Sequence, residues 1–397
     1  MANNSNLGAA KTAKNDEFYT QYHDIEVEMN AYLDYDRDVF RGKTVLLPCD
    51  DPEWSNFTKY FAQKFETLGL KKLISTSFAV ESKKYKEGYQ PSLFEQNSPQ
   101  FAPDKTRTHG KIFVLDRDNS GDGRINFDDL RWDYLKGDGD FLSKEVKALR
   151  DEADIIVTNP PFSLFSAFLS WILEADKKFI ILGNMSALHY KDVFPLIKEN
   201  KIWVGKGANL SLVFRCPEYT NNLETNRKFV SSKGYDPDEH YIKKPAICWF
   251  TNIDHDRRHQ PLSLMTMEDN IRYSKHKEIN GIGYKHYYNY DAIDVPFIDA
   301  IPSDYEGIMG VPDTLLNIYN PNQFEIIGSG PDVPKTLKHV SYKEKGIITY
   351  EKDGHAVWVT PYTVSERKIG NSLRIDEGGV PGSSPYSRIL IRIRKQL

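Results

Sequence analysis

Between residues 43 and 252, short and mostly apolar runs alternate with stretches in which apolar positions recur every three or four residues. The apolar runs predict buried strands, and the three-to-four spacing predicts amphipathic helices. This alternation is typical of an α/β protein in which helices flank a parallel sheet. The predicted strands are TVLLPC (44–49), KLISTSF (72–78), IFVLDR (112–117), DIIVTN (154–159), KFIILGN (178–184), LSLVFRC (210–216) and PAICWFT (245–251).

The helical spacing is clearest in the segment 55–69. Gly69 is suited to end this helix, since glycine readily adopts the left-handed conformation found at helix C-termini. The positions that recur at helical spacing are Phe57, Tyr60, Phe61, Lys64 and Phe65.

Beyond His255 the pattern becomes irregular. Glycine and proline interrupt the chain at 302–312, 328–334 and 379–385. The last apolar runs, AVWVTPYTV (356–364) and YSRILIRIRK (386–395), favour strands. We therefore predict a doubly wound α/β domain at 1–258 and a second, partly β domain at 259–397.

The composition places the protein among intracellular globular chains. Its 397 residues, 40% hydrophobic, suffice for two or three domains. No apolar run approaches the roughly 20 residues of a membrane-spanning helix, and the polar N-terminus lacks the apolar region of a secretory signal. Cys49, Cys216 and Cys248 are too few and too dispersed for a disulfide framework or a cysteine-based zinc site. We expect a cytoplasmic location and no metal centre.

The charge is unevenly distributed. Residues 331–397 carry twelve Lys and Arg against seven Asp and Glu, so this segment is at +5 although the whole chain is at −4. The C-terminal end is therefore the part predicted to face phosphate groups.

The segment DIIVTNPPFSLF (154–165) carries the most specific chemical signal. A buried strand ends here in Asn159, Pro160, Pro161 and Phe162, and ligands of α/β sheets bind at strand ends. The two prolines fix the backbone and supply no N–H donors, which leaves carbonyl groups to accept hydrogen bonds. The Asn159 side-chain oxygen and the Pro160 carbonyl are suited to accept from the two hydrogens of an exocyclic amine, and Phe162 offers a ring on which a base can stack.

Such a pair of acceptors suits methylation of the amino group N6 of adenine. This nitrogen is a poor nucleophile because its lone pair is delocalised into the ring, and two acceptors would stabilise the positive charge that develops on it. The alternative is that NPPF forms only a tight loop after a strand, where Asn and Pro are common.

The chain resembles the EcoRI-type adenine-specific DNA methyltransferases over nearly its whole length, and NPPF resembles motif IV of the amino-group methyltransferases. The resemblance implies a Rossmann-like fold that uses S-adenosylmethionine, with motifs in the order X, I, III and IV. The blocks that carry it are DEFYTQYHDIE (16–26), CDDPEWSNFTKYF (49–61), LKGDGDF (135–141), DIIVTNPPFSLF (154–165), KKFIILGN (177–184) and DYEGIMGVPDTLLNIYNPNQFEIIG (304–328).

The resemblance also implies which residues hold the cofactor. In motif X, which contacts the methionine part, the candidates are Tyr19 and Thr20; in motif III, which contacts the adenine, they are Asp140 and Phe141. The motif I candidates are Cys49, Asp50, Asp51 and Pro52, and here the usual glycines are replaced by Trp54, Ser55 and Asn56.

Three weaker signals remain. The segment 118–129 matches much of a calcium-binding EF-hand loop, but its last position is Asp rather than Glu and an apparent strand precedes it, so an acidic surface turn is favoured. Basic and aromatic residues interleave in 275–290, where Lys285 is a candidate DNA contact. Arg392 and Arg394 share one strand face, which meets either the DNA backbone or solvent.

The sequence thus predicts an enzyme that methylates an adenine flipped out of duplex DNA, with a domain for sequence recognition. A restriction endonuclease acting on the same site is an expected counterpart, but no stable complex with it is implied. Two alternatives stay open: methylation of RNA adenine or protein glutamine, and a non-catalytic DNA-binding protein on the same fold.

Overall fold

The computed structural model describes residues 19–49, 55–79, 93–207, 210–215, 223–288, 290–329, 347–350, 356–359, 373–378, 383, 385 and 387–394. The chain divides into two units, unit 1 from residues 1–187 and 202–256 and unit 2 from residues 188–201 and 257–397. The sequence pattern predicts one boundary after residue 258, with 188–201 in the first domain.

Most helices of the described residues are short. None of them is long and apolar enough to cross a membrane. The α-helices are α1 (Tyr22–Tyr35), α2 (Asn56–Gln63), α3 (Phe65–Leu68), α4 (Leu93–Gln96), α5 (Lys144–Glu152), α6 (Phe165–Leu173), α7 (Phe194–Lys198), α8 (Glu224–Ser232) and α9 (Met267–Tyr273).

All seven strands predicted up to residue 252 are present, and 178–184 matches β7 in full whereas the others differ at one or both ends. The strands are β1 (Tyr19–Thr20), β2 (Thr44–Leu47), β3 (Lys72–Thr76), β4 (Lys111–Leu115), β5 (Arg131–Tyr134), β6 (Ile155–Thr158), β7 (Lys178–Asn184), β8 (Trp203–Val204), β9 (Leu210–Arg215), β10 (Tyr241–Thr251), β11 (Lys285–His286), β12 (Ile293–Asp294), β13 (Met309–Pro312), β14 (Phe324–Ser329), β15 (Ile347–Tyr350), β16 (Ala356–Val359) and β17 (Arg388–Ile393).

Unit 1 is built on one large sheet. Its strand order is β1-β9-β10-β7-β6-β2-β3-β4-β5, with β8 also paired to β10. The four central strands β7, β6, β2 and β3 are mutually parallel. Their carboxyl ends therefore lie along one edge of the sheet.

The predicted parallel sheet is present at the centre of this sheet, and the whole sheet is mixed because the flanking strands pair antiparallel with their neighbours. β4 pairs antiparallel with β3 and with β5, and β10 pairs antiparallel with β7 and with β9. An apolar run reports that a strand is buried but not its direction. The connection from β4 to β5 contains only a short turn of 3₁₀ helix, whereas a parallel connection needs a longer crossover, usually a helix.

The helix predicted at 55–69 forms as α2 and α3, separated at Lys64. It begins at Ser55, whose hydroxyl accepts hydrogen bonds from the N–H groups of Phe57 and Thr58 at 3.1 and 3.4 Å. It ends at Gly69, which has φ +64°. Phe57, Tyr60 and Phe61 are buried in a core that also contains the apolar face of α1 and side chains of the sheet.

A buried carboxylate fixes α1 against the chain that follows β8. Glu28 is 1% exposed, and it accepts hydrogen bonds from the Tyr32 hydroxyl at 2.7 Å and from the N–H groups of Lys206 and Gly207 at 3.0 and 2.7 Å. Burial raises the pKa of Glu28, although these hydrogen bonds oppose the rise. The three donors stabilise the carboxylate inside the protein.

Unit 2 contains a smaller sheet in the order β11-β12-β13-β17-β14 and a separate hairpin of β15 and β16. Its described strands pair antiparallel, except for the parallel pair of β12 and β13. The predicted strand 386–395 is confirmed over β17, whereas much of the predicted strand 356–364 lies outside the described residues. The inserted segment 188–201 contributes α7, which packs on β14.

Gly183 provides the space for two aromatic rings that pack against each other at a tilt of 55°. A Cβ atom at this position would lie 2.5 Å from Phe165 and 2.8 Å from Phe250, whose ring centroids are 4.7 Å apart.

We expect Gly183→Ala to lower the free energy of unfolding by about 1–3 kcal/mol through overpacking, measured by urea denaturation. At Gly137 a Cβ would have no neighbour within 4 Å, so Gly137→Ala should change stability by about 0.5 kcal/mol or less. Equal effects of the two substitutions would contradict this account.

A buried ion pair holds β4 to the segment before it. Glu95 and Lys111 side chains are 0% and 6% exposed, and the carboxylate and ammonium lie 2.7 Å apart. Burial raises the pKa of Glu95, but the hydrogen bonds from Lys111, Thr106 and Tyr134 and the charge of Lys111 outweigh it, so the pKa of Glu95 lies below its usual value.

Removal of this charge should destabilise unit 1. Glu95→Gln removes the carboxylate that lies 2.7 Å from the buried Lys111 ammonium, so we expect a loss of about 3–5 kcal/mol in the free energy of unfolding at neutral pH. The exposed pair Lys72–Glu152 is the control, and Glu152→Gln should cost about 0–1 kcal/mol. Because the pKa of Glu95 is lowered, its contribution is complete above the usual value of 4.5 and is lost as the pH falls through the folded-state value. An unchanged acid limb of the stability curve in Glu95→Gln would contradict the assignment.

Candidate active site

The NPPF segment forms a buried corner at the carboxyl end of β6. Asn159 is 9% exposed, Pro160 is buried, and a short 3₁₀ helix, Phe162–Leu164, leads directly into α6. The Pro161 carbonyl accepts a hydrogen bond from Leu164 N–H at 2.8 Å, whereas no described residue donates one to the Pro160 carbonyl. Phe162 is half-buried and packs against the core of unit 1. The Pro160 carbonyl, on the residue after Asn159, can therefore still accept a hydrogen bond.

The second predicted block lies beside this corner, because β2 and β6 are neighbouring parallel strands. Pro48 and Cys49 follow β2, and the Pro48 carbonyl accepts a hydrogen bond from the Thr76 hydroxyl of β3 at 3.3 Å. Cys49 is half-buried. The other motif I candidates, Asp50, Asp51 and Pro52, lie outside the described residues.

The motif X residues reach the same region from a distant part of the sequence. Tyr19 and Thr20 form β1, which pairs with β9, and the Thr20 carbonyl accepts a hydrogen bond from Asn56 Nδ2 at 2.8 Å. Asn56 is the first residue of α2, so the first two predicted blocks are in direct contact. Thr20 is 2% exposed, and its Oγ1 is buried without a hydrogen-bond partner in the part of the chain that the structure describes.

The motif III candidates lie in the loop after β5. Asp140 Oδ1 accepts a hydrogen bond from Leu142 N–H at 2.9 Å, so its carboxylate stabilises the loop itself. Phe141 is buried and meets the rings of Phe168 and Trp171 of α6 edge-on, at centroid distances of 5.2 and 5.7 Å. Phe141 therefore packs on the helix that follows the NPPF corner.

This loop also borders the carboxyl end of β3. Ala79 N–H donates to the Asp138 carbonyl at 2.7 Å. Gly139 has φ +81°, and a Cβ there would lie 2.1 Å from the Ser77 carbonyl oxygen. Only glycine fits a position with this conformation and this close an approach, so the GDG sequence reflects packing of the loop on β3.

Two buried residues that support the site were not predicted from the sequence. Glu28 follows Ile25 by three residues and precedes Met29 and Tyr32 on the buried face of α1. A carboxylate at an apolar helical position was the available signal. Gly183 gave no such signal, because its role depends on the distant rings of Phe165 and Phe250.

The candidate DNA contacts in unit 2 are exposed. Lys285 lies in β11 at the edge of the smaller sheet. Arg392 lies 3.9 Å from Glu325, and Arg394 Nε donates to the Phe324 carbonyl at 3.2 Å. The two arginines therefore already have partners within unit 2.

The acidic segment 118–129 folds as a turn whose carboxylates accept hydrogen bonds from its own backbone. Asp118 accepts from the N–H groups of Gly121 and Gly123, and Asp129 accepts from those of Asn126, Ser120 and Asn119. These hydrogen bonds hold the pKa of both carboxyls below the usual value.

No described group of three or more His, Cys, Asp or Glu side chains is arranged to hold a metal ion.

The chain is similar to known proteins over most of its length. The family model described as adenine-specific methyltransferase EcoRI matches residues 6–394. The Type II methyltransferase M.EcoRI of Escherichia coli is 42% identical over 328 residues, which cover 82% of this chain and 89% of the relative. The Type II methyltransferase M.MpnI of Mycoplasma pneumoniae is 34% identical over 329 residues, covering 80% of this chain and 83% of the relative.

A third relative, the Type II methyltransferase M.MgeORF184P of Mycoplasma genitalium, is 34% identical over 319 residues, covering 80% and 84% of the two chains. No solved structure matches the chain. Since the family model spans almost the entire sequence, the chain belongs to the EcoRI family of adenine-specific methyltransferases.

Proposed function

We propose that this adenine-specific methyltransferase transfers a methyl group from S-adenosylmethionine to N6 of an adenine that is flipped out of duplex DNA. The observation that carries the proposal is the NPPF corner, where Asn159 and the Pro160 carbonyl follow β6 on the edge shared by the carboxyl ends of the parallel strands. Ligands of open α/β sheets bind at this edge.

The chemistry follows from the hydrogen-bonding capacity of the corner. An exocyclic amino group has two N–H donors, and Asn159 Oδ1 with the Pro160 carbonyl provides two acceptors. Acceptance of both hydrogens concentrates electron density on N6 and stabilises the charge that develops there as the new C–N bond forms. Phe162, which is half-buried, is the proposed ring on which the base stacks.

Base flipping is a requirement of geometry. N6 of a stacked adenine cannot be enclosed by a buried side chain such as Asn159, so the base must leave the helix. The proposed role of unit 2 is to hold the duplex and recognise its sequence, and Lys285, Arg392 and Arg394 are exposed on it.

The residues present fit S-adenosylmethionine, which when bound supplies an electrophilic methyl group on sulfur. We interpret the centre of the sheet as Rossmann-like, because the chain runs from β2 to β3 on one side and returns to β6 on the other, which creates a switch point between β2 and β6. The buried Thr20 hydroxyl, with no partner in the described residues, is suited to bind the charged methionine end. Asp140 and Phe141, in the loop after β5 that borders the end of β3, are the proposed contacts of the cofactor's adenine.

The similar proteins are named Type II methyltransferases, and we propose that this enzyme modifies a specific DNA sequence in the cytoplasm. It does so alone or beside a restriction endonuclease that acts on the same sequence, without a stable complex between the two.

The first test is incubation of the protein with labelled S-adenosylmethionine and mixed-sequence duplex DNA, followed by nucleoside analysis. We expect label in N6-methyladenine. Asn159→Ala should lower the rate of transfer by about 100-fold or more, because one acceptor that stabilises the reacting nitrogen is lost, while cofactor affinity measured by calorimetry is unchanged. Ser163→Ala, an exposed position in the same turn, is the matched control and should retain the wild-type rate.

Each other outcome has a distinct meaning. Near-normal turnover by Asn159→Ala would refute the role of this side chain. Label absent from DNA but present in RNA or protein would replace the proposed substrate. Absence of cofactor binding would indicate a non-catalytic DNA-binding protein.

Thr20 allows a test in which stability and affinity change in opposite senses. Thr20→Val replaces a buried hydroxyl without a partner in the described residues by a methyl group, so the free energy of unfolding without cofactor should be unchanged or higher. The affinity for S-adenosylmethionine should fall by about tenfold, the value of one hydrogen bond to a charged group. Thr20→Ser keeps the hydroxyl and should bind as the wild type does. Wild-type affinity in Thr20→Val would exclude Thr20 from the cofactor site.

A further inference from the structure

An isoleucine protrudes from unit 2 at the tip of a tight turn. Ile282 is 69% exposed, more than the other large apolar side chains of the described residues. It stands between Gly281, with φ +73°, and Gly283, with φ +90°. Glycine is the residue that adopts these angles readily, so the local sequence is suited to hold an apolar side chain out in solvent.

The turn is fixed to the end of α9 by several hydrogen bonds. Gly281 N–H donates to the Ile271 carbonyl at 2.8 Å, and Asn280 Nδ2 donates to the Ser274 carbonyl at 2.8 Å. Ile282 and Gly283 N–H both donate to the Ile279 carbonyl, at 3.0 and 2.9 Å, and Ile279 itself is buried. The protruding side chain is thus presented by a backbone with defined contacts.

The surroundings of the turn in the sequence are basic. Residues 272–286 contain four Lys and Arg and a single acidic residue, Glu278. Lys277 and Lys285 are exposed and form no ion pair with any residue that the structure describes. Tyr273, 63% exposed, adds a ring beneath the Arg272 guanidinium.

An exposed apolar tip flanked by exposed cations matches duplex DNA, which has phosphates on its surface and apolar base faces between its steps. We infer that Ile282 is a wedge that inserts between adjacent base pairs of the bound duplex, while Lys277 and Lys285 contact phosphates. Isoleucine is among the side chains that unstack base steps in this way. The inference rests on the proposed function, since it takes duplex DNA as the substrate.

The alternative binding partner for an exposed apolar residue such as Ile282 is a second copy of this chain. The cations beside the tip disfavour that pairing, because two identical basic turns repel each other. The experiment includes this outcome.

The test begins with the sequence that the wild-type enzyme methylates, mapped by sequencing of modified DNA. The fluorescent base 2-aminopurine is then placed at successive positions of a duplex with that sequence, outside the target adenine. We expect the wild type to raise the fluorescence at one step, and Ile282→Ser to abolish this rise and weaken binding by about tenfold. Ile282→Leu should keep both, and Leu223→Ser, at a position 62% exposed, is the matched control.

Two further readouts separate insertion from other roles. A nick at the unstacked step removes the cost of opening it, so the binding defect of Ile282→Ser should shrink on nicked DNA. Lys277→Ala and Lys285→Ala should each reduce the salt dependence of binding and leave the fluorescence rise in place.

The inference is overturned if Ile282→Ser binds and unstacks DNA as Leu223→Ser does, or if sedimentation shows that Ile282→Ser converts a dimer to a monomer. Failure of the proposed function has a different signature, which is a wild-type enzyme that transfers no methyl group to DNA. Wild-type transfer with unaltered fluorescence in Ile282→Ser rejects the wedge alone.

Discussion

The parallel pairing of β2 with β6 is the constraint on which the site depends. Parallel strands share a direction, so the chain leaves both at the same edge of the sheet, and NPPF emerges beside the segment that follows β2. β3 and β7 extend the same edge on either side, and the loop with Asp140 and Phe141 borders it at β3. The sheet therefore brings together residues that are about a hundred positions apart in the sequence. The rigid corner at Asn159 needs this support, because two prolines fix their own φ angles but not their position.

Sequence patterns predicted the strands of unit 1 well, because a buried strand requires an apolar run wherever it lies. They did not predict the direction of β4 and β10, since direction depends on connections and partners. The turn at 118–129 illustrates a different limit. Its acidic residues match calcium ligands by spacing, yet the structure shows Asp118 and Asp129 accepting hydrogen bonds from the backbone of the turn. The spacing of acidic residues in a sequence shows which carboxylate oxygens are near one another, but not which groups they bind.

The candidate site likewise contains features that a local sequence pattern reveals and features that depend on long-range contacts. The NPPF corner was recognisable because its chemistry is local: acceptors, fixed backbone and aromatic ring are consecutive residues. The contact between Thr20 and Asn56 joins parts of the chain that no local pattern connects. Glu28 and Gly183 belong to the same class, because a buried carboxylate depends on donors from Lys206 and Gly207, and an absent side chain depends on two distant rings. Long-range complementarity of this kind is a property of packing.

The segment 188–201 leaves unit 1, contributes α7 to unit 2 and returns, so the chain passes between the units three times. A fragment that begins at residue 257 would lack α7, which packs on β14, and would expose the apolar surface that this helix covers. During synthesis, α7 is made about 60 residues before the rest of unit 2 begins. At ribosomal elongation rates, several seconds pass before the strands on which it packs are made. Unit 1 must therefore fold while the segment 188–201 has no sheet of unit 2 on which to pack. A proteolytic cut after residue 256 would leave α7 on the N-terminal polypeptide and β14 on the C-terminal one, so the packing of these two elements would still join the two fragments.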